Sequence, residues 1–216
     1  MDQSALLQQV SLFKGMSKAM IEALLTTFEA RTITVDKKVE IVEVMTKPQT
    51  MGIVLSGSVW VYRQDFWGNY SLLQKCLPTD IFAESFALAN TLLHVQVRAC
   101  EPSTVLLLSL ERLFEYGQDP YVLQFIERLM RLTSLKNIRM VERMNHLNQR
   151  TLEEKVLSYL SAQAIQAGCD HFQIPLSRQE LADYLAVDRS ALSRTLSNLQ
   201  RKGRLCYKRN HFKLSL

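Results

Sequence analysis

The sequence lacks the features of membrane and secreted proteins. None of its apolar runs approaches the length that a membrane-spanning helix needs. Its first ten residues, MDQSALLQQV, carry an acid and glutamines where a secretory signal has a basic tip and an apolar block. We therefore expect a cytoplasmic protein with no membrane partner.

Clustered cysteine and histidine are also absent. The four cysteines lie far apart without a CxxC pair, which argues against both a zinc knuckle and a disulfide framework: Cys76, Cys100, Cys169 and Cys206. The four histidines include no HxH pair or other close ligand spacing, and the sequence shows no nucleophile with an orienting base. We expect no metal site and no enzyme.

The net charge of +5 is concentrated at one end of the chain. Residues 176–216 hold nine Lys/Arg and three acids, so this segment carries +6 and the remainder −1. A basic excess confined to one end is typical of a phosphate-binding module on a near-neutral body. The alternative is a charged face that is merely solvated, but such faces usually carry charges of both signs.

The first half of the chain predicts two short helices followed by strands. Residues 4–28 have apolar positions at helical spacing, interrupted at Lys14-Gly15, with Ser17 placed to cap the second helix. From Thr32 to about Leu110 short β-branched and aromatic runs follow, punctuated by Gly, Pro, Asn and Asp. This pattern predicts an antiparallel barrel or sandwich, with a short helix at 84–92.

After Ser109 the pattern predicts helix to about Ala167, and a heptad repeat lies within it. Two rows at this spacing form a candidate homodimer interface: Ile126, Thr133, Met140 and Leu147, interleaved with Met130, Asn137 and Met144. An Asn at such a position can fix register and partner number. The alternative is a helix packed along its own barrel.

A helix-turn-helix is predicted from Leu176 onward. Ser177 and Glu180 form a capping box, and Leu176 and Leu181 sit where a hydrophobic staple would lie. A turn at Ala186-Val187 precedes a second helix, which runs from a cap at Asp188 to about Arg201. The inward positions are Leu181, Leu185, Leu192, Leu196 and Leu199.

The second helix is the expected reader of DNA. Its outward positions near the N-terminus can donate to guanine and to phosphates: Arg189, Ser190, Ser193 and Arg194. After Lys202-Gly203, residues 204–207 and 212–215 predict a wing hairpin whose basic tip, with Lys208 and Arg209, rests on phosphate. The alternative is a protein-docking module, which the cationic surface disfavours.

Taken together, these elements resemble the CRP/FNR family of bacterial transcription regulators over essentially the full chain. The most specific part is LSRQELADYLAVDRSALSRTLSNLQRKG. The resemblance implies an α+β fold with an N-terminal antiparallel, jelly-roll-like β-roll that senses an effector (1–118), a long dimerisation helix (119–148) and a C-terminal winged helix-turn-helix (149–216). It also implies a homodimer on pseudo-palindromic double-stranded DNA, with RNA polymerase as a further partner.

The resemblance assigns roles to individual residues of the reading face. Arg194 matches the arginine that reads a guanine, and Arg189 and Arg178 match positions that contact base edges or phosphates. Ser190 stands where many members carry a glutamate that accepts from cytosine, so the family's operator sequence does not transfer to this chain.

The resemblance to a cyclic-nucleotide cassette is incomplete. Phe82-Ala83-Glu84 matches the cassette, but Ala83 replaces the usual glycine, and Leu93 and His94 fall where an Arg-Ser pair would hold the cyclic phosphate. We therefore expect a small apolar or aromatic effector rather than cyclic AMP. The candidate pocket is Trp60, Tyr62, Ala83, Glu84, Phe86, Leu93 and His94.

Other sensors of the family use an iron–sulfur cluster or haem. A cluster needs grouped N-terminal cysteines, and none occurs before Cys76. Haem stays open, with His94, Cys76 and Cys100 as the only candidate ligands in the roll. A ligand-independent regulator and a redox- or haem-responsive one are the alternatives to a regulator gated by a small molecule.

Overall fold

The computed structural model describes residues 3–42, 49–68 and 70–215 of the chain. It divides into two compact units, Met1–Thr133 and Ser134–Leu216, and the boundary falls inside the longest helix. The helices are α1 (Gln3–Leu7), α2 (Lys18–Thr27), α3 (Glu84–Ala89), α4 (Pro120–Leu147), α5 (Leu152–Ala167), α6 (Arg178–Tyr184) and α7 (Arg189–Arg201). Within the described residues, no helix has the length and apolar character that crossing a bilayer requires.

The strands of the first unit are antiparallel, as predicted. They are β1 (Arg31–Val35), β2 (Glu40–Val42), β3 (Thr50–Ser56), β4 (Val59–Gln64), β5 (Tyr70–Cys76), β6 (Ile81–Phe82), β7 (Gln96–Ala99) and β8 (Ser103–Ser109). One sheet has the order β1-β8-β3-β6 and the second the order β2-β7-β4-β5. Residues 43–48, which belong to the stretch predicted to form strands, lie outside the described ones.

Strand alternation places one face of the second sheet in the core. Val59, Val61 and Val97 are at most 9% exposed and join a cluster with Phe82 and Leu93. The Phe82 ring also covers Gly52, its partner in the β3–β6 pairing of the first sheet, because a Cβ added to Gly52 would lie 2.0 Å from that ring. The apolar residues on this face therefore belong to the core of the roll.

The structure corrects the prediction of one continuous helix from Ser109 to Ala167. Residues 111–119 form turns, and α4 begins at Pro120, where the Asp119 carboxylate accepts from the amides of Tyr121 (2.7 Å) and Val122 (3.2 Å). A second break precedes α5. There the Thr151 hydroxyl accepts from the Glu154 amide at 3.2 Å, and the Glu154 carboxylate accepts from the Thr151 amide at 3.0 Å. Both are helix-start signals that outweigh the apolar periodicity across them.

The second unit packs α5, α6 and α7 against a three-stranded sheet. Its strands β9 (His171–Gln173), β10 (Leu205–Lys208) and β11 (His211–Leu214) have the order β10-β11-β9. Strand β9 was not predicted. Its central residue, Phe172, is paired with Phe212 in β11, and the two rings stack with centroids 6.2 Å apart.

Candidate DNA interface

The start of the helix-turn-helix has the predicted capping box. The Ser177 hydroxyl accepts from the Glu180 amide at 3.3 Å, and the Glu180 carboxylate accepts from the Ser177 amide at 2.7 Å. The turn passes through Ala186, whose φ of 52° is left-handed. Asp188 occupies the N-cap position of α7, as predicted, although its side chain makes no capping hydrogen bond there.

The five leucines predicted to face inward are all 0% exposed, so the opposite face of α7 points to solvent. Arg189, Ser190 and Arg194 are exposed on it. Ser193 is half-buried, and its hydroxyl donates to the Arg189 carbonyl at 2.9 Å. Within the described part of the chain, the Arg194 guanidinium is neither hydrogen-bonded nor ion-paired, which leaves it available to an external acceptor.

The wing hairpin is tighter than predicted. Lys208 pairs directly with His211 in the ladder, so only Arg209 and Asn210 form the turn. Arg209 has a φ of 54°, a conformation that L-residues adopt at some cost. The side chains of Lys208 and Arg209 are exposed at this tip, where they can meet phosphate.

Arg178 lies against the wing rather than in open solvent. Its guanidinium donates to the Arg209 carbonyl at 3.2 Å and lies over the rings of Tyr207 (5.1 Å) and Phe212 (5.7 Å). Burial lowers the pKa of this guanidinium, and the nearby charge of Arg189 lowers it further, against an opposing effect of Tyr207. The contacts tie the start of α6 to the wing, so Arg178 has a structural role that the sequence did not indicate.

The last two turns of α4 pack within the second unit through His146 and Arg143. The imidazole of His146 is 6% exposed, and its Nδ1 lies 2.8 Å from the Ser158 hydroxyl. Its ring contacts those of Tyr159 (5.8 Å) and Tyr184 (6.1 Å). Arg143 donates to the Tyr184 carbonyl at 3.0 Å, at the end of α6. These contacts, none of them predicted, connect α4 to the helix-turn-helix.

The burial of His146 predicts a pH-dependent stability. Burial lowers the pKa of His146, and the charge of Glu142 acts against this effect. Burial also raises the pKa of the neighbouring Tyr159 to about 12, so that the phenol stays neutral. Because the unfolded chain binds a proton more readily, stability is lost as the pH falls below about 6.5. In thermal unfolding followed by circular dichroism, the unfolding midpoint of His146→Gln should fall less than that of the wild type on acidification. An equal loss, or the same protection from His171→Gln at an exposed histidine, would contradict this.

The predicted dimer interface is largely exposed along α4. Met130, Met140 and Met144 are between 53% and 63% exposed, and Asn137 is exposed beside them. The other three members, Ile126, Thr133 and Leu147, are half-buried. Of these, Ile126 packs on the core of the first unit. An exposed apolar stripe on a long helix is unusual unless another surface covers it.

The structure does not bring the seven candidate effector residues together. Ala83, Phe86 and Leu93 pack in or against the interior cluster of the roll. Trp60 and Tyr62 project from the opposite face of the second sheet, because alternate residues of a strand face opposite sides. Of the remaining two, Glu84 is 4% exposed in the first turn of α3, and His94 is exposed.

The candidate sensor cysteines have different environments. Cys76 is 0% exposed. Cys100 is half-buried, and burial raises the pKa of its thiol. A hydrogen bond with Ser58 and the charge of Lys75 lower this pKa, but by less than burial raises it. A raised pKa keeps this thiol protonated at neutral pH, whereas thiol chemistry needs the thiolate. Among the described residues, no three His, Cys, Asp or Glu side chains are grouped to hold a metal.

An exposed second helix with Arg189 and Arg194 on its surface, a wing and an antiparallel roll define a class of protein, the winged helix-turn-helix transcription regulators with a sensor-type domain. Two family models match the chain, the Crp-like helix-turn-helix domain over residues 154–215 and the cyclic nucleotide-binding domain over residues 32–119. The chain belongs to the CRP/FNR family of DNA-binding transcription regulators. No curated protein matches the sequence.

Solved structures share the fold at low sequence identity. DNR from Pseudomonas aeruginosa is 22% identical, with 100% of this chain and 94% of that one covered and a TM-score of 0.51. FixK2 from Bradyrhizobium japonicum is 22% identical, with 87% of this chain and 93% of that one covered and a TM-score of 0.52. A third structure is CLP from Xanthomonas campestris, described as a c-di-GMP responsive global regulator. It is 18% identical, with 93% of this chain and 100% of that one covered and a TM-score of 0.58. These likenesses concern the fold.

Proposed function

We propose that the protein is a homodimeric, sequence-specific regulator that inserts α7 of each protomer into the major groove of a pseudo-palindromic operator. The observation that carries the proposal is the exposed guanidinium of Arg194 on the first half of α7, which has no partner among the described residues. Beside it lies the exposed side chain of Arg189. Such side chains can donate in bidentate fashion to the O6 and N7 of guanine, the commonest specific contact with DNA.

Dimerisation is supported by the stripe on α4. The exposed methionines recur at heptad spacing with Asn137 among them, so a second copy of α4 could cover them in a coiled coil. Two-fold symmetry would then present the two reader helices to half-sites about one helical turn apart. RNA polymerase is a further partner in this proposal, following the family resemblance.

Selection of bound duplexes from a random DNA pool tests the proposal. The purified protein should enrich a motif with two-fold symmetry, because both protomers of a dimer read the same half-site. Enrichment of an asymmetric motif, or of no motif with and without small molecules from a cell extract, would contradict it. A dependence on the extract would show that an effector controls binding.

The wing should contribute affinity without specificity. Lys208→Ala removes an exposed cation at the tip, so we expect weaker binding to every duplex alike and a shallower dependence of affinity on salt, by about one unit of slope. Titrations of operator and random duplexes at several salt concentrations measure both effects. Lys14→Ala, at an exposed lysine of the first unit, is the matched control. Loss confined to the operator would show that Lys208 reads bases.

We further propose that the effector is not a cyclic nucleotide. Leu93 occupies the position that the resemblance gives to the phosphate-binding arginine, and it is 0% exposed in the apolar cluster. An anion brought there would meet no fixed cation. Calorimetric titration should detect no tight binding of cyclic AMP, and a tight site would contradict this part of the proposal.

A regulator without a small-molecule ligand is the second candidate, because the cassette is degraded and Leu93 is buried in the apolar cluster. Thermal-shift screening separates the two candidates: a ligand of the folded state raises the unfolding midpoint. A haem- or redox-responsive form has less support, since His94 is exposed and the pKa of the Cys100 thiol is raised.

A further inference from the structure

A cavity of about 520 Å³ lies on the face of the second sheet that is turned away from the interior cluster. Its lining includes Lys37, Lys38, Trp60, Tyr62, Arg98 and Cys100. The volume falls in the range of roughly 300–1,000 Å³ that is usual for small-molecule sites. The cavity belongs wholly to the first unit.

The floor of the cavity is held in place by a charged cluster. Arg98 donates to Glu40 Oε1 through Nε at 2.7 Å, and its Nη2 forms an ion pair with the same oxygen at 2.6 Å. The Arg98 guanidinium lies 4.8 Å from the centroid of the Tyr62 ring. The Tyr62 hydroxyl donates to the same Glu40 carboxylate. The tyrosine is 5% exposed, and Glu40 compensates the charge of Arg98 in this cluster.

The two lysines at the rim are not compensated in this way. In the part of the chain that the structure describes, neither ammonium group has an ion-pair partner, and both side chains are exposed. Their turn is anchored to β7, because the Lys38 amide donates to the Ala99 carbonyl at 2.8 Å and the Ala99 amide donates to the Val39 carbonyl at 3.0 Å. Lys38 holds a φ of 71°, so this anchored turn keeps a conformation that a non-glycine residue rarely adopts.

Trp60 supplies the apolar side of the cavity. Its indole is 44% exposed, and it stands directly opposite Arg98 in the β4–β7 pairing. A flat ring can stack on an exposed indole, while an anionic substituent is attracted to ammonium groups. The cavity therefore combines the two features that recognise an aromatic anion.

We propose that this cavity binds a small organic anion that carries an aromatic ring, with the ring on Trp60 and the anionic group at Lys37 and Lys38. The inference builds on the effector-gated form of the proposed function and gives that effector a chemical class. It also moves the site from the interior of the roll to the opposite face of the second sheet. Binding can be measured without DNA, so its failure is distinguishable from failure of DNA recognition.

Intrinsic fluorescence tests the proposal in the full-length protein. The chain has two tryptophans, and Trp67 is 82% exposed in the turn after β4, so Trp67→Phe leaves Trp60 as the single reporter. The probe is 4-nitrobenzoate, an aromatic carboxylate that quenches indole emission. Its neutral analogue 4-nitrobenzyl alcohol keeps the ring, and acetate keeps the charge.

The carboxylate should quench Trp60 saturably, with a Kd at least about tenfold below that of the alcohol, a difference equivalent to about 1.4 kcal/mol. Acetate should not compete, because it lacks the ring. In the same background, the double variant Lys37→Gln/Lys38→Gln should abolish the preference for the carboxylate. The double variant Lys14→Gln/Lys18→Gln removes the same charge from exposed positions of the same unit and should keep that preference.

Three results would overturn the proposal: quenching that does not saturate, equal affinity for the carboxylate and the alcohol, or the same loss of preference in both lysine double variants. Unfolding midpoints of all variants, measured in parallel, establish that each is folded. A second variant in the wild-type background, Trp60→Leu, should weaken binding of 4-nitrobenzoate in calorimetry about tenfold. Unchanged binding in that variant would also contradict the role given to the indole.

Discussion

The variant Arg194→Ala should lose specific binding to the operator. Its guanidinium is exposed on the reading face of α7, and the leucines beneath that face are fully buried, so truncation leaves the helix in place. A bidentate contact with guanine is worth about 1–3 kcal/mol, so loss at both half-sites should cost about 2–6 kcal/mol. Titration of labelled operator and random duplexes should therefore show the two affinities converging.

Arg201→Ala is the matched control for this experiment. Arg201 lies at the other end of α7, is exposed, and donates to the Asn198 side chain at 3.0 Å. Its loss removes the same charge from the same helix without touching the reading end, so operator specificity should persist. If Arg194→Ala binds the operator as tightly as wild type, the assignment of the reading face is wrong.

The variant Met140→Glu should dissociate the proposed dimer. Met140 is 59% exposed in the stripe of α4, and at a coiled-coil seam the introduced carboxylates of two protomers would be buried close together. Burying like charges at a seam costs several kcal/mol, more than a seam of Met, Thr and Asn is expected to offset. Sedimentation should show a monomer at concentrations where wild type is dimeric, with loss of tight operator binding.

Asn145→Glu provides the comparison for Met140→Glu. Asn145 is exposed on the same helix, one position beyond the seam residue Met144, and the substitution adds the same single negative charge. This variant should remain dimeric and bind the operator. A monomeric wild type, or a dimeric Met140→Glu, would place the protein–protein contact elsewhere than on the α4 stripe.

The helix-turn-helix was predictable because its signals are local. The capping box at Ser177 and Glu180 and the spacing of the leucines specify two helices within a short stretch of sequence. The start of α5 carries a signal of the same kind in Thr151 and Glu154. Periodicity alone hid that break, since apolar spacing continues across it while the caps set the real ends.

The positions of the candidate effector residues were less predictable because they depend on pairing between distant strands. Trp60 and Phe86 both suggest an aromatic pocket, but the β4–β7 register places Trp60 opposite Arg98, on the face away from Phe86. Contacts of the kind that Arg178 and His146 make, across tens of residues or between packed helices, are likewise invisible to local patterns. The roles of such residues emerge only when the tertiary contacts are known.

Binding to altered half-sites tests the central claim most directly. Stoichiometry and affinity would be measured on the selected operator, on the same duplex with one half-site scrambled, and on one with about half a helical turn inserted between half-sites. The proposed dimer predicts two protomers on the intact operator and a large loss of affinity for both altered duplexes. One protomer bound with equal affinity to all three would contradict a dimer that reads two-fold symmetric DNA through α7.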